Sequence, residues 1–338
     1  MKFLRCKEVP KGTGKRVVIV GAGPAGLAAA GVLRCYGHEV VIYDMMPEAG
    51  GMMMFGIPDD RLPKDRIRES VKELMRAGVR FLFNVKVGKD VKLDELMASS
   101  DAVLIATGTW KTRELGVEGE HLPWVLPAAE WIVEVHMARY GYLSWNHVYK
   151  PSGTALIVGA GLTAVDVATL LLTYPEIKGG VKRVVLSYRR TRDLAPMRPS
   201  EFEQLEKMGV EIMELTQPVK IYEEGGKRYV RLVKMRLESA PGEKRPRPVP
   251  IEGSEFDLGA DVVFKAIGEL PTPPFEKGAY GIELNPDGTI KVDENFMTTR
   301  RGVFAAGDVK TGPSLIGPAY KSGIDAAVKI HQYLTGGL

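Results

Sequence analysis

The chain has 338 residues, with 46 Lys and Arg against 42 Asp and Glu and a formal net charge of +4. That length exceeds what one hydrophobic core usually serves and predicts two domains, while an ordinary composition without like-charge runs or aromatic–basic interleaving argues against a nucleic-acid surface. No apolar run reaches the roughly 18 residues of a membrane-spanning helix, and the opening M-K-F-L-R-C-K-E-V-P lacks a signal peptide's apolar core, so a cytoplasmic protein is expected.

Residues 1–14 read as a short leader without regular structure, because Pro10, Gly12 and Gly14 interrupt it. Cys6 and Cys35 are the only cysteines. Without C-x-x-C or cluster-ligand spacing they predict neither a dithiol redox pair nor an iron–sulfur centre ligated by this chain alone, and Cys35 reads as a small buried apolar residue.

The stretch 17–31, V-V-I-V-G-A-G-P-A-G-L-A-A-A-G, is strand, glycine turn and helix in order. Gly21 permits the tight turn, Gly23 lets the backbone approach a pyrophosphate, and Gly26 lets the helix pack on the strand; Pro24 and Ala25 lie between them in the same candidate site. A second strand, 38–43, ends at Asp44, where a carboxylate can hold a ribose hydroxyl. The following M-M-P-E-A-G-G-M-M-M-F-G-I-P-D-D-R-L-P-K is a long loop expected over a cofactor through Gly50, Gly51, Met52, Gly56, Ile57 and Pro58. Its five methionines predict a buried apolar wall.

A helix over 64–77 carries Ile67, Val71, Leu74 and Met75 on one face; Gly78 ends it before a strand over 79–85, with Val87 just beyond. D-A-V-L-I-A-T-G (101–108) is a buried strand closing on Ala106, Thr107 and Gly108, a turn against which a nucleotide or flavin can pack. After a Trp-rich crossover, T-A-L-I-V-G-A-G-L-T-A-V-D-V-A (154–168) repeats the fingerprint with Gly159 and Gly161, then Leu162 and Thr163, and Ala164 in the third glycine's place. The strand 181–188 ends in Arg189 and Arg190 with no acid, which suits a 2′-phosphate and reads as NADP; a solvated basic loop is the competing reading.

Residues 216–270 alternate apolar and polar and predict an antiparallel meander with a hairpin turn at Gly225-Gly226. Its last strand, D-V-V-F-K-A-I-G (261–268), ends in Ile267 and Gly268 and repeats the pattern of 101–108. R-G-V-F-A-A-G-D-V (301–309) closes on Gly307 and Asp308, and a final helix runs from near Pro318, with Ala319 in its first turn, to about Tyr333. The expected fold is α/β: two Rossmann-like dinucleotide-binding domains with a small antiparallel meander, the NAD(P)H domain (119–285) inserted in the FAD domain (15–118 and 286–338).

These blocks, with Y-R-R-T-R-D-L-A-P-M-R-P-S-E, A-I-G-E-L-P and F-A-A-G-D-V, resemble the pyridine nucleotide-disulfide reductase-like flavoproteins and, within them, the glutamate synthase small-subunit group of NAD(P)H oxidoreductases. The resemblance implies FAD in the first site, with Gly21, Gly23 and Gly26 on the pyrophosphate, Asp44 on the adenosine ribose, Gly51 and its loop beside the ribityl and isoalloxazine, Asp308 on the ribityl chain and the Ala319 backbone at the pyrimidine edge. It implies NADP(H), in preference to NAD(H), in the second, with Gly159, Gly161 and Ala164 on the pyrophosphate and Arg189 and Arg190 on the 2′-phosphate. Met54, Leu162 and Ile324 stand where the group usually has a basic residue, Asn and Arg, and Asp44 replaces the usual Glu. The group's cysteine-rich cluster domain does not precede the fingerprint in this sequence, so electrons are expected to leave by another route.

Hydride transfer from NADPH C4 to flavin N5 requires no side-chain acid, base or nucleophile, and none is nominated; no metal site is expected. His38, His121, His136, His147 and His331 are scattered and read as packing or surface residues. The preferred reading is an electron-input subunit that serves an iron–sulfur or flavin partner within an oligomer. A stand-alone NADPH:ferredoxin or quinone-type reductase and a non-enzymatic FAD-containing scaffold are the alternatives; the missing C-x-x-C argues against a thioredoxin-reductase-like role.

Overall fold

The short apolar runs of the sequence become buried parallel strands in a computed structural model that describes residues 1–338. Two units divide the chain: residues 1–110 with 269–338, and residues 111–268, inserted between those two pieces. In the first unit β1 (Arg16–Val20) leads through the glycine turn to α1 (Pro24–Cys35) and β2 (Glu39–Tyr43). Next come α2 (Met52–Phe55), α3 (Asp65–Arg76), β3 (Arg80–Leu82), α4 (Leu93–Ala98) and β4 (Ala102–Ile105), and then β5 (Thr109–Thr112), within which the chain passes into the inserted unit.

The inserted unit contains β6 (Val125–Pro127), α5 (Ala128–Arg139), β7 (Gly153–Val158), α6 (Leu162–Thr173), β8 (Val181–Tyr188), α7 (Pro199–Lys207) and β9 (Glu211–Glu214). A meander follows, β10 (Thr216–Glu224), β11 (Lys227–Glu238), β12 (Arg247–Pro250) and β13 (Phe256–Gly259), and then β14 (Val262–Lys265). The chain returns through β15 (Glu269–Pro271), which pairs with β5, to β16 (Val303–Ala305), α8 (Asp308–Thr311) and the 19-residue α9 (Ile316–Leu334).

Each unit is built on a five-stranded parallel sheet, in the order β16-β4-β1-β2-β3 in the first and β6-β14-β7-β8-β9 in the second. The two orders match at four of five places; at the outer edge the first unit has its last strand, β16, and the second its first, β6. β1 and β7 hold the central place, their following strands β2 and β8 lie on one side, and β4 and β14 on the other. The chain therefore reverses direction across the sheet between β1 and β4, and again between β7 and β14, which opens a crevice at the carboxyl ends of those strands. Every residue of β4 and β14 is buried, as strands covered on both faces require. The expected α/β fold with two Rossmann-like units, one inserted in the other, is what forms.

Three sequence expectations change. The segment 261–268 is not the last strand of the meander: Val262–Lys265 pairs in parallel with β6 and β7, because Val262, Val263 and Phe264 suit a strand buried on both faces and the buried Lys265 is neutralised by Glu114 and Glu120. The hairpin between β10 and β11 does turn at Gly225 and Gly226, at φ +58° and +75°. The unit boundaries fall after residues 110 and 268, so 111–118 belong with the inserted unit and 269–285 with the first.

The third change concerns the start of the chain. Residues 1–14 form neither helix nor strand, yet Phe3 is fully buried, and a Cβ at Gly31 of α1 would stand 2.0 Å from the Phe3 carbonyl oxygen. Ser70 donates to the Met1 carbonyl and Tyr320 to that of Lys2. Cys6 and Cys35 are joined as a disulfide, so Cys35 is not a free apolar residue and the chain does hold a cystine.

Candidate dinucleotide sites

In the first unit the loops after β1, β2, β4 and β16 share one edge of the sheet. Gly21 leaves β1 at φ +109°, its N–H donates to the Tyr43 carbonyl at 2.8 Å, and a Cβ there would stand 2.2 Å from the Ala106 carbonyl oxygen. Only glycine lets the turn pass this close to the end of β4. Gly26 is equally committed, since a Cβ would lie 1.9 Å from the Gly21 carbonyl oxygen. Gly51, at φ +55°, backs against the Gly23 backbone, and Gly50 N–H donates to the Ala22 carbonyl at 2.8 Å. Gly307, at φ +74°, lies against Ala25, and Gly323 of α9 approaches the Ala25 carbonyl. The glycine turn, the methionine loop, the end of β16 and α9 therefore converge.

Asp44 lies in the same convergence and is buried. Its carboxylate accepts from Ala22 N–H at 2.6 Å and from Met46 N–H at 2.7 Å, so it fixes the fingerprint loop as well as ending β2. Burial pushes its pKa up to about 6, against the lowering effect of those two hydrogen bonds. Asp308 opens α8; Ser314 donates to it at 2.5 Å, and desolvation raises its pKa. Of the five methionines, Met46, Met53 and Met54 are buried and Met52 is partly so; Met45, 37% exposed, is outside the apolar wall. Val87 is buried with Val18, Val20 and Leu93, its backbone bridging to Val91.

The two fingerprint helices share with the four-residue α2 and with α9 a feature that α3, α4, α5 and α7 lack. α1 begins after Gly23 and α6 after Gly161, each without a side-chain cap and without an acid in its first turn, as does α9 around Pro318 and Ala319. The first turns of α3, α4, α5 and α7 each carry an acidic residue, Asp65, Asp94, Glu130 and Glu201 among them. The N–H groups and positive ends of α1 and α6 are thus left for an external anion, as a pyrophosphate would be. Thr107 Oγ1, at the end of β4, is buried without a hydrogen-bond partner. An unmet buried hydroxyl costs about 1–3 kcal/mol and fits a site whose polar ligand completes it.

In the inserted unit Gly159 repeats Gly21: φ is +124°, its N–H donates to the Ser187 carbonyl at 2.9 Å, and a Cβ would stand 2.0 Å from the Ala266 carbonyl oxygen. Gly161 differs, because its backbone is extended and nothing lies within 4 Å of where its Cβ would be. Leu162, Thr163 and Ala164 form the first turn of α6, and Ala266, Ile267 and Gly268 continue from β14 toward the same sheet edge, with Gly268 at φ +103°. At the tip of β8, Arg190 Nε donates to the Pro246 carbonyl at 3.1 Å. No ion pair forms at Arg189 or Arg190, whereas neighbouring Arg192 is paired with Glu206 and Glu214.

Sequence reasoning missed Lys64. Its ammonium is buried and donates to the carbonyls of Met53 and Ile57, and the only signal was its place at the end of G-I-P-D-D-R-L-P-K. It also missed Arg245 and the cystine, which depend on pairings across 51 and 29 residues that no local pattern records.

Two α/β units whose sheets match at four of five places, each with a glycine turn and an unopposed helix end at its switch point, define a protein with two dinucleotide-binding domains. The model of the pyridine nucleotide-disulphide oxidoreductase family matches residues 15–323, and the chain belongs to that family of oxidoreductases. It is 36% identical over 329 residues to the NADP(+)-dependent formate dehydrogenase subunit beta of Moorella thermoacetica, covering 96% of this chain and 45% of that one. It is also 36% identical over 326 residues to the glutamate synthase [NADPH] small chain of Azospirillum brasilense, covering 95% and 67%. The chain thus spans less than half of the first relative and two thirds of the second. Among solved structures FprA from Mycobacterium tuberculosis shares the fold, with a TM-score of 0.82 at 21% identity over 95% of this chain and 85% of that one. No helix is long and apolar enough to cross a membrane.

Proposed function

We propose that this chain is the electron-input flavoprotein of a larger cytoplasmic assembly, taking hydride from NADPH onto FAD and passing electrons to a partner subunit with iron–sulfur or flavin centres. The reading rests on one contrast. Two glycine cradles of the same plan end in opposite charge: a buried carboxylate, Asp44, in the first and the unpaired Arg189 and Arg190 in the second. A carboxylate suits the free ribose hydroxyls of FAD, and guanidinium suits a 2′-phosphate.

When bound, a flavin supplies the hydride acceptance and stepwise electron release that no side chain here could supply. The protein's part is placement. Gly21, Gly23 and Gly26 with the start of α1 would hold the FAD pyrophosphate, Thr107 Oγ1 and Asp308 would meet polar atoms further along the cofactor, and the buried methionines would exclude water from one side. Gly159, Gly161 and Ala164 would hold the NADPH pyrophosphate. The positive end of α9, near Pro318 and Ala319, would favour negative charge on a reduced ring. Relatives named as a beta subunit and a small chain support an assembly in which this chain is one component.

Anaerobic mixing of the purified, FAD-loaded protein with NADPH tests the reading. Loss of the flavin absorbance near about 450 nm is expected, faster with NADPH than with NADH, together with a co-purifying polypeptide that carries cluster or flavin absorbance. An unchanged flavin spectrum would leave a scaffold, and a colourless preparation that takes up no FAD would remove the proposal altogether.

A further inference from the structure

We propose that Arg245, from the connection between β11 and β12, is a third guanidinium on the 2′-phosphate, so that nucleotide selection is shared between the tip of β8 and the meander. The inference rests on the reading of the second site as an NADPH site.

Arg245 is carried to the strand tip by its own contacts. Its Nη2 donates to the Tyr188 hydroxyl at 3.0 Å and to the Leu194 carbonyl, and Tyr188 in turn donates to Leu194 at 3.1 Å. The next residue of the same connection, Pro246, accepts from Arg190 Nε. The strand tip and the loop therefore hold each other, and three guanidinium groups from two separate elements gather at the carboxyl end of β8.

Their charges are not compensated. Arg189, Arg190 and Arg245 have no carboxylate partner, although Arg183, Arg192, Arg231 and Arg247 in the same unit all do. Arg189 feels partial desolvation and then the repulsion of Arg190 and Arg245, all of which lower its pKa. A structural role would pair such groups with acids, since gathered like charges oppose folding. An incoming phosphate dianion removes that repulsion, and charge-assisted contacts to guanidinium are the strong ones. The loop is stiffened for the task, because Pro246 and Pro248 fix φ on the carboxyl side of Arg245 and reduce the entropy lost when it is held.

Titration of the FAD-loaded chain with 2′,5′-ADP and with 5′-AMP tests the assignment, since the two probes differ only in the 2′-phosphate. The wild type is expected to prefer 2′,5′-ADP; Arg245→Ala should weaken 2′,5′-ADP about ten- to a hundredfold and 5′-AMP less than about twofold. The preserved 5′-AMP binding shows that the variant is folded, and the variant should also show a shallower dependence of 2′,5′-ADP affinity on salt. If Arg190→Ala weakens 2′,5′-ADP and Arg245→Ala does not, Arg245 has no part in the site and the NADPH reading stands. Equal losses for both probes in Arg245→Ala would make it a scaffold residue and overturn the proposal. A wild type that does not distinguish the probes would remove the NADPH reading and the proposal with it.

Discussion

The ammonium of Lys64 stands 2.7 Å from the carbonyl oxygen of Met53 and at the same distance from that of Ile57, buried under the loop that carries both. Met53 lies within α2 and Ile57 just after its Gly56 cap, so the cation sits where the helix leaves carbonyls unmet and its dipole is negative. Burying an ammonium is costly unless its donors are used, and here they fix the backbone of the methionine loop against the first glycine turn. Lys64→Met should cost about 2–4 kcal/mol of stability and lower the FAD content of the purified protein, while 2′,5′-ADP binding by the inserted unit is retained. Lys64→Arg should recover part of the loss. Undiminished FAD stoichiometry in Lys64→Met, measured spectroscopically, would show that the loop holds its place without the cation.

The Cys6–Cys35 cystine closes 29 residues and ties the start of the chain to the far end of α1. In the chain-entropy account a loop of that length contributes about 3–4 kcal/mol, added to the burial of Phe3 against Gly31 and α9. Reduction, or Cys35→Ser, is expected to lower the first thermal transition by roughly 5–10 °C and to open residues 1–14 to proteolysis. Half-buried cystines persist in oxidising compartments and inside hyperthermophiles. An unfolding curve that does not move on verified reduction would assign the cystine no stabilising role.

Much of this architecture was legible because the signals are local. Gly21 and Gly159 are forced by a close approach to the neighbouring strand, and such a requirement writes itself into five consecutive residues. The matching endings of 101–108 and 261–268 also reported a real equivalence, since β4 and β14 hold the same place in their sheets. Assigning 261–268 to the meander failed because a short run such as Val262-Val263-Phe264 does not say which sheet will bury it. Arg245 and Cys6 were illegible because each acts on a group distant in sequence, and Lys64, whose partners lie only seven and eleven residues away, because a lone Lys in a loop looks like surface. The role of residues 1–14 lay in Phe3, whose socket on α1 exists only once the helix is formed.

Asp44 predicts a pH dependence with a definite sign. Its folded pKa is raised to about 6 by burial, above the ordinary 3.8, so the neutral carboxyl is favoured in the folded chain. Its contribution to stability is therefore lost as pH rises from about 4 to about 6 and is constant above. A ribose hydroxyl that donates to the carboxylate favours the charged form, so binding becomes linked to release of that proton. FAD affinity of the flavin-stripped protein should be level above pH 7 and fall below about pH 6, approaching tenfold per pH unit. Asp44→Asn should bind more weakly at pH 7 and lose the dependence. A wild-type dissociation constant that is flat between pH 5 and 8 would place the ribose away from Asp44.

Gly161 separates a residue kept for the fold from one kept for a ligand. At Gly21 and Gly159 a methyl group would strike backbone about 2 Å away and φ is positive, so alanine there should unfold its unit. At Gly161 the backbone is extended at φ −101°, and a methyl group would meet nothing within 4 Å. Alanine at that helix N-cap costs under about 1 kcal/mol. If the glycine exists so that a pyrophosphate can reach the α6 N–H groups, Gly161→Ala should melt within a few degrees of the wild type and keep its FAD. Its KM for NADPH should nevertheless rise at least about tenfold. The loss should be as large for NADH, since both nucleotides carry the pyrophosphate, in contrast to the NADPH-selective loss expected from Arg190→Ala. Wild-type kinetics in a normally folded Gly161→Ala protein would mean that the second fingerprint does not receive the nucleotide, whatever the arginines beside it bind.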